Sequence, residues 1–247
     1  MAATPSVFVP VPEGGRIFRA DRRVSIDDAA PDGRMQIDAV ARFLQDVGND
    51  DTEDAGFPRL GLAWVARRMV VHVVAAPISR ELLAMTTWCS GTGSRWAERR
   101  TNVLGEHGGQ IEAATIWVYI DVETGRPAPW NDVFADLYME ATQGREVAAR
   151  LEHPKTPDPD EPTTTMSWSF RASDMDAFGH VNNAAYPAVL EELDALHGHD
   201  DVYVEVEWRK PSTAGELLTV VSQSGADGRR VWLTAAGELR ATFLVRG

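Results

Sequence analysis

The sequence has little of what several classes of protein require. One cysteine, Cys89, cannot form an internal disulfide bond, and the amino terminus lacks the basic flank and apolar run of a signal peptide. No stretch approaches the ~20 apolar residues of a membrane-spanning helix. We therefore expect a soluble, cytoplasmic protein with no membrane insertion, and we interpret Cys89, which has no evident histidine partner, as a packing residue.

Positive charge is also scarce, and the common cofactor motifs are missing. There are 24 Lys and Arg against 37 Asp and Glu, a net charge of −13, which does not favour binding to nucleic acid or anionic membranes. CxxC, HExxH, GxGxxG and Walker patterns are absent, so the sequence predicts no metal and no cofactor. Four pairs of adjacent basic residues either form a local docking patch or line solvated strand edges: Arg67-Arg68, Arg99-Arg100, Arg209-Lys210 and Arg229-Arg230.

The segment His153–Thr165 (HPKTPDPDEPTTT) is rich in proline and acid and predicts a linker. Before it, an acidic and alanine-rich stretch from Asp132 leads into 144–151 and predicts one helix. We therefore divide the chain into a first domain (1–140), a helix and linker (141–165) and a second domain (166–247).

The two sides of this linker resemble each other. A shift of 146 residues superposes Gly33 on Gly179, and with it the segment 24–46 on the segment 172–192. Each segment offers an acidic strand end, a glycine turn and a helix with apolar spacing. The preserved order of these features predicts an internal duplication.

After each predicted helix come segments rich in β-branched and aromatic residues, separated by glycine-containing turns, which predict antiparallel strands. The clearest are 69–74, 82–90, 114–121, 203–208, 217–224 and 231–236. A single helix followed by such strands must bury its apolar side against one face of their sheet. The sequence thus predicts an α+β fold made of two similar layers.

Candidate chemistry is concentrated in residues 171–192, RASDMDAFGHVNNAAYPAVLEE. Asp176 would act as a general base or as a nucleophile, and His180 would donate a hydrogen bond or carry a proton. The asparagines Asn182 and Asn183 are typical helix N-caps, and backbone N–H groups at a helix start can hold negative charge that develops on an acyl oxygen. The same residue types are also common in turns without any catalytic role.

The pattern D-x-D-x-x-G-H-V-N-N-x-x-Y, from Asp174 to Tyr186, resembles the signature of hot-dog-fold thioesterases. With the duplication, residues 16–247 resemble the acyl-acyl-carrier-protein (acyl-ACP) thioesterases of plants and bacteria, which carry two hot-dog units in one chain. The resemblance implies a tandem double hot-dog, in which each half is a long helix packed on an antiparallel β-sheet. It also implies that the first half shapes the acyl pocket.

The resemblance implies the following site residues: catalytic Asp176 and His180, with Val181, Asn182 and Asn183 as the oxyanion-binding and positioning segment. This chain departs from the plant enzymes, which carry an asparagine where it has Phe178, and a later glutamate and cysteine where it has Pro211 and Ser212. The local pattern DAFGHVNN is closer to single-hot-dog acyl-CoA thioesterases. Both carriers therefore stay open.

The first half lacks the carboxylate and histidine. The 146-residue shift places Ala30 opposite Asp176, Asp32 opposite Phe178 and Arg34 opposite His180. We therefore expect one active site per chain, at the interface of the two halves.

We predict a thioesterase that hydrolyses fatty acyl-ACP to free fatty acid and holo carrier protein, in fatty acid biosynthesis. An acyl-CoA thioesterase and a non-catalytic module that binds acyl thioesters are the alternatives. A hydratase is less favoured, because Glu191 and Glu192 lie far along the predicted helix. The expected partners are acyl carrier protein or acyl-CoA and, as an open question, a second copy of the chain.

Overall fold

Ten strands form one antiparallel sheet in the described residues, 8–57, 62–196 and 201–247, of this computed structural model. The strands are β1 (Ile17–Arg23), β2 (Leu62–Ala75), β3 (Leu82–Thr92), β4 (Trp96–Gly105), β5 (Gln110–Asp121), β6 (Thr164–Trp168), β7 (Val202–Trp208), β8 (Leu218–Gly225), β9 (Gly228–Ala235) and β10 (Glu238–Arg246). The helices are α1 (Ile37–Asp54), α2 (Asp132–Thr142) and α3 (Ala188–Glu192), with short 3-10 turns at Ile26–Asp28, Ala172–Asp174 and Asn183–Ala185. None of the described helices is both long enough and apolar enough to cross a membrane.

The strand order shows the predicted duplication. It is β1-β3-β4-β5-β2-β7-β10-β9-β8-β6, so the second half repeats the order of the first in reverse. The halves meet where β2 pairs with β7, with Met69 opposite Val206 and Val71 opposite Val204. These four side chains are buried in one core. The predicted α+β tandem architecture is therefore confirmed.

Helix α1 has 18 residues and covers the inner face of the sheet. Its buried side chains recur at helical spacing, among them Ile37, Val40, Leu44 and Val47. They share one apolar cluster with Val189 and other side chains of the second half. The helix predicted to pack on the sheet of the first half is thus present.

The helix of the second half is shorter than the predicted long helix. Within the described residues it consists of the 3-10 turn at 183–185 and the five residues of α3. Pro187 has no N–H to donate to an earlier carbonyl, so the α-helix begins only after it. Asp194 adopts the left-handed conformation, with φ 52°, and ends the helical segment.

The helix predicted from Asp132 into 144–151 also ends early. Helix α2 stops at Thr142, because Gln143 and Gly144 are both left-handed, with φ 51° and 74°. The chain then becomes extended, and Val147 N–H donates to Thr92 O at 3.0 Å. The described part of the predicted 141–165 segment is therefore almost entirely non-helical.

The proline-rich segment lies flat on the outer face of the second half. Trp232 of β9 donates its indole Nε1–H to Pro154 O at 2.8 Å, and Gln223 of β8 exchanges two hydrogen bonds with the backbone of Asp158, each at 2.9 Å. Val231 and Leu233 beside Trp232 face the core, so Trp232 points to the opposite face. The segment thus forms a strap across the sheet, and we keep its boundaries, 141–165 between 1–140 and 166–247, as a proposal.

The strap starts beside a buried cluster of three side chains, His153, Glu205 and Glu207. A ring nitrogen of the histidine and one carboxylate oxygen of each glutamate all lie within 4.8 Å of one another. Arg68 pairs with Glu205 at 2.6 Å, and Arg209 pairs with Glu207 at 2.9 Å. Burial alone would raise the pKa of Glu205, but hydrogen bonds and charge from His153 and Arg68 outweigh it and hold that pKa below its usual range. The two cations give this cluster the character of an ion-pair network that joins the strap to the seam between β2 and β7.

Candidate active site

The segments 28–36 and 174–182, called here the first loop and the second loop, have the same backbone geometry. In the first loop Ala30 N–H donates to Arg34 O at 2.8 Å, and in the second loop Asp176 N–H donates to His180 O at 2.8 Å. Each loop turns on a left-handed glycine, Gly33 at φ 89° and Gly179 at φ 79°. The 146-residue register found in the sequence is therefore the register of the two loops in space.

Asp176 is half-buried and holds the second loop together through one oxygen. Its Oδ1 accepts hydrogen bonds from the N–H of Phe178 at 2.9 Å and, more weakly, of His180 at 3.4 Å. In the part of the chain that the structure describes, Oδ2 accepts none. One oxygen thus orients the carboxylate, and the other is left for a substrate or a water molecule.

His180 is exposed, and the structure brings it beside Asp176 through the backbone of the loop. No hydrogen bond joins its imidazole to any described residue. The ring is therefore free to turn toward a ligand that enters above the loop.

The three predicted oxyanion residues differ in what their N–H groups do. Val181 N–H donates to Ser212 O at 3.0 Å, and Asn182 N–H donates to Asp174 O at 2.8 Å. Asn182 also caps the following 3-10 turn, as predicted, by accepting from Ala184 N–H at 2.9 Å. Asn183 N–H has no acceptor among the described residues, so we narrow the proposed oxyanion donors to Asn183.

The equivalent of Asn183 in the first half is Ile37, directly after the first loop, and its N–H is hydrogen-bonded. Glu191 of α3 extends across to the first loop, where its Oε1 accepts from Ile37 N–H at 3.1 Å. Both of its carboxylate oxygens also accept hydrogen bonds from Arg34, and these bonds and the negative charge raise the pKa of the guanidinium. A carboxylate of the chain itself therefore satisfies both the Ile37 N–H and the Arg34 guanidinium beside the first loop.

A small cavity of about 10 Å³, enough for one water-sized group, lies beside the second loop, between α1 and the sheet. Its wall includes Leu44 and Gln45 of α1, Trp117 of β5, Asn183 of the turn and Trp208 of β7. Both halves thus contribute to it, as expected for a site at their interface. Its wall is mostly apolar, and its size fits a single carbonyl oxygen beside Asn183 and not an acyl chain.

Comparisons with known proteins agree with this geometry. The acyl-ACP thioesterase N-terminal domain matches residues 15–138, and the acyl-ACP thioesterase C-terminal domain matches residues 158–240. The chain belongs to the acyl-ACP thioesterase family. Its predicted class, a thioester hydrolase, is confirmed at that level.

Relatives in the acyl-ACP thioesterase family are distant. An uncharacterized protein of Mycobacterium tuberculosis is 27% identical over 241 residues, which cover 97% of this chain and 95% of that protein. Oleoyl-acyl carrier protein thioesterase 1 of Arabidopsis thaliana is 25% identical over 84% of this chain, which spans only 65% of the plant protein.

Solved structures show the same fold at low identity. The 12:0-ACP thioesterase from Umbellularia californica superposes with a TM-score of 0.76 at 20% identity, over 95% of this chain and 99% of that one. An acyl-ACP thioesterase from Bacteroides thetaiotaomicron gives 0.75 at 17% identity, over 93% and 98%.

Of the two adjacent positions singled out in the sequence, Pro211 and Ser212, the second supports the second loop and neither supplies an ionisable group. Ser212 is fully buried, its N–H donates to Tyr186 Oη at 2.8 Å, and its carbonyl accepts from Val181. Pro211 is exposed and carries no ionisable group. The described residues thus place no glutamate or cysteine side chain at these two positions.

Cys89 is the one cysteine of the chain, and it should be chemically inert. It is buried in β3, and burial raises its pKa to about 11, so almost no thiolate forms at neutral pH. We expect no alkylation of the native protein by iodoacetamide over hours, and complete alkylation in urea, measured by mass spectrometry. Rapid native labelling accompanied by loss of hydrolysis would contradict this assignment.

Five of the eight side chains in the basic pairs are held inside the fold and do not join a docking patch. Arg67 donates to Trp208 O, Arg68, Arg99 and Arg209 pair with Glu205, Asp51 and Glu207, and Arg100 lies over the Trp88 ring. The alternative of exposed strand edges is also wrong for them, because each is buried or half-buried. They stabilise the sheet.

Sequence reasoning missed Gln45 at the cavity and the contact of Glu191 with the first loop. Glu191 was correctly left out of the second loop. The signal for both was the duplication itself, because Gln45 and Glu191 are separated by the same 146 residues as the two glycines.

Proposed function

We propose that the protein hydrolyses a fatty acyl thioester, preferably on acyl carrier protein, at the second loop. One comparison carries this proposal: the two loops share a backbone, but only the second has a carboxylate with an unbonded oxygen, Asp176, together with an imidazole, His180. In addition, Asn183 N–H has no acceptor among the described residues, whereas its counterpart at Ile37 is bonded to Glu191.

The chemistry follows from these groups. With Asp176 as general base, its carboxylate takes a proton from water while the water oxygen bonds to the acyl carbon. The carbonyl oxygen gains negative charge, which Asn183 N–H stabilises. The C–S bond then breaks, and the leaving thiolate takes the proton.

Asp176 as nucleophile gives the same products in two steps. Its Oδ2 bonds to the acyl carbon as the C–S bond breaks, and water then hydrolyses the resulting anhydride to restore the carboxylate. In both routes His180 serves at the rim of the loop, where its exposed imidazole can donate a hydrogen bond or return a proton to the thiolate.

The surface around the second loop favours a protein carrier. Phe178 is 67% exposed at the tip of the loop, and the exposed Arg171 just before the loop pairs with Asp174 at 2.9 Å, so the exposed apolar ring is the feature that stands out beside Asp176. The phosphates of coenzyme A would favour a cluster of free cations, and five members of the basic pairs are bonded elsewhere. The relatives named above as ACP thioesterases agree with this preference.

The deciding experiment is a series of acyl-ACP thioesters from short to long chains, each matched by the same acyl-CoA, with release of free thiol as the measurement. We expect kcat/KM to be at least about tenfold higher on ACP, a difference of ~1.4 kcal/mol in transition-state binding. A preference for acyl-CoA would establish the alternative carrier. Tight binding without release would instead establish an acyl-binding module. The cytoplasmic location and a homodimer stay predictions from the sequence.

A further inference from the structure

A side chain of the second half, Glu191, bonds the first half, and its counterpart in the first half, Gln45, lies near the second loop. Glu191 in the second half bonds the start of α1 in the first half, at Ile37 N–H. Gln45, its partner in the 146-residue register, lies on α1 and lines the cavity that Asn183 also lines. Asn183 is in turn the partner of Ile37 in that register, so Gln45 and Asn183 are the counterparts of Glu191 and Ile37 and line one cavity without a hydrogen bond between them.

The difference between these contacts is chemical. The carboxylate of Glu191 accepts from Ile37 N–H, beside the first loop, and its charge is neutralised by Arg34. The amide of Gln45 is uncharged, is half-buried, and makes no hydrogen bond with any described residue. An amide in this place adds a donor and no negative charge, which suits a site where charge must develop on a bound oxygen.

The cavity itself indicates a polar guest. Trp208 lines it, is only 7% exposed, and has a buried indole Nε1 with no hydrogen-bond partner among the described residues. Trp117, also in the wall, has a buried Nε1 that likewise finds no partner in the described part of the chain. Buried donors are normally satisfied, so two unsatisfied ones around one cavity are consistent with an oxygen-bearing ligand.

We propose that the side-chain amide of Gln45 donates a hydrogen bond to the carbonyl oxygen of the thioester, beside Asn183 N–H. The first half then contributes a substrate-contacting residue, and the carboxylate oxygen of Glu191 on Ile37 N–H occupies the equivalent position in the first half. This proposal rests on the proposed function, because it assumes that a thioester binds at the second loop.

The first test replaces Gln45 by methionine, which has similar length and no N–H donor. We expect kcat to fall about 100-fold with KM nearly unchanged, because the bond strengthens as the oxyanion forms. The melting temperature should stay near that of the natural protein. A kcat within about twofold of the natural value would overturn the proposal.

The second test uses the first loop as a template. In Gln45→Glu a carboxylate would occupy the position that the Glu191 carboxylate has in the first loop, and we expect hydrolysis to fall further than in Gln45→Met. Asn49→Glu adds the same charge to an exposed position one turn later on α1 and should leave hydrolysis unchanged. Equal activity of Gln45→Glu and Asn49→Glu would overturn the proposal even if the methionine variant failed to fold.

A double variant, Gln45→Glu with His180→Arg, would rebuild the Arg34–Glu191 pair in the second loop. We expect it to melt at a higher temperature than the two single variants predict additively. Additive melting temperatures would contradict the equivalence of the two contacts. Absence of hydrolysis by the natural protein, or full activity of an Asp176 variant, would refute the proposed function itself. If the Asp176 variant loses activity and the Gln45 variants keep it, only the role of Gln45 is refuted.

Discussion

Replacing Asp176 by asparagine should lower kcat about 1000-fold or more, within the range that general acid–base groups contribute. The amide can neither take a proton from water nor attack the acyl carbon. Its Oδ1 can still accept the hydrogen bonds from Phe178 and His180 N–H that hold the second loop. The variant should therefore show little change in KM, as measured by thiol release over a range of acyl-ACP concentrations up to saturation.

The first loop indicates that Asp176 is not needed for folding. Ala30 stands at the equivalent place, and that loop forms with the same backbone hydrogen bonds. Asp32 supplies a loop carboxylate there, accepting from Arg34 N–H at 3.1 Å, which makes Asp32→Asn a matched control. We expect the control to retain activity. A fully active Asp176→Asn would remove the central claim.

Isotope labelling separates the two roles of Asp176. In a single turnover in H₂¹⁸O with excess enzyme, a general base sends the label only into the fatty acid. A nucleophile that is released by attack at its own carbonyl keeps the label in the Asp176 carboxylate, where peptide mass spectrometry detects it.

The sequence was sufficient to predict the duplication because its signals are local. A left-handed glycine, Gly33 or Gly179, needs no tertiary context to mark a turn, and the apolar spacing after it marks a helix. The length of the second helix depended on Pro187 and on a left-handed Asp194, and although Asp adopts that conformation more often than most residues, the local sequence does not mark this one.

The strap and the cavity were beyond local reasoning. The prolines of 153–165 predict that no helix or central strand forms, and they carry no information on the hydrogen bonds from Trp232 and Gln223 that hold the segment on the sheet. Gln45 and Asn183 are 138 positions apart in the chain, and only the register of the two halves brings them to one cavity. The sequence shows the chemical type of both residues, and it does not show that they are neighbours in the fold.

Replacing Glu191 by alanine should lower the free energy of unfolding by about 2 kcal/mol, the scale of losing charge-assisted hydrogen bonds that are partly buried. The side chains of Glu191 and Arg34 are only 17% and 22% exposed, so hydration of Arg34 in the variant compensates for little of the lost ion-pair energy. The Ile37 N–H at the start of α1 also loses its acceptor. Urea unfolding of the two proteins gives the difference directly.

Neighbouring variants separate the ion pair from the hydrogen bond. Glu191→Gln keeps an oxygen for Ile37 N–H and loses the charge beside Arg34, so its stability should fall between those of the natural protein and the alanine variant. Glu192 is exposed and adjacent, and Glu192→Ala should unfold at the natural urea concentration. Equal stabilities of the Glu191 and Glu192 variants would mean that the contact does not join the halves.

Opening the first loop in this way should not create a second active site. Glu191→Ala would free Ile37 N–H and leave Arg34 paired with Asp32, but Ala30 offers no carboxylate to activate water or to attack an acyl carbon. We therefore expect unchanged hydrolysis per folded molecule, with all of it still lost when Asp176→Asn is added. Activity that survives in that double variant would show that the first loop retains chemistry of its own, and that the carboxylate of Glu191 normally suppresses it.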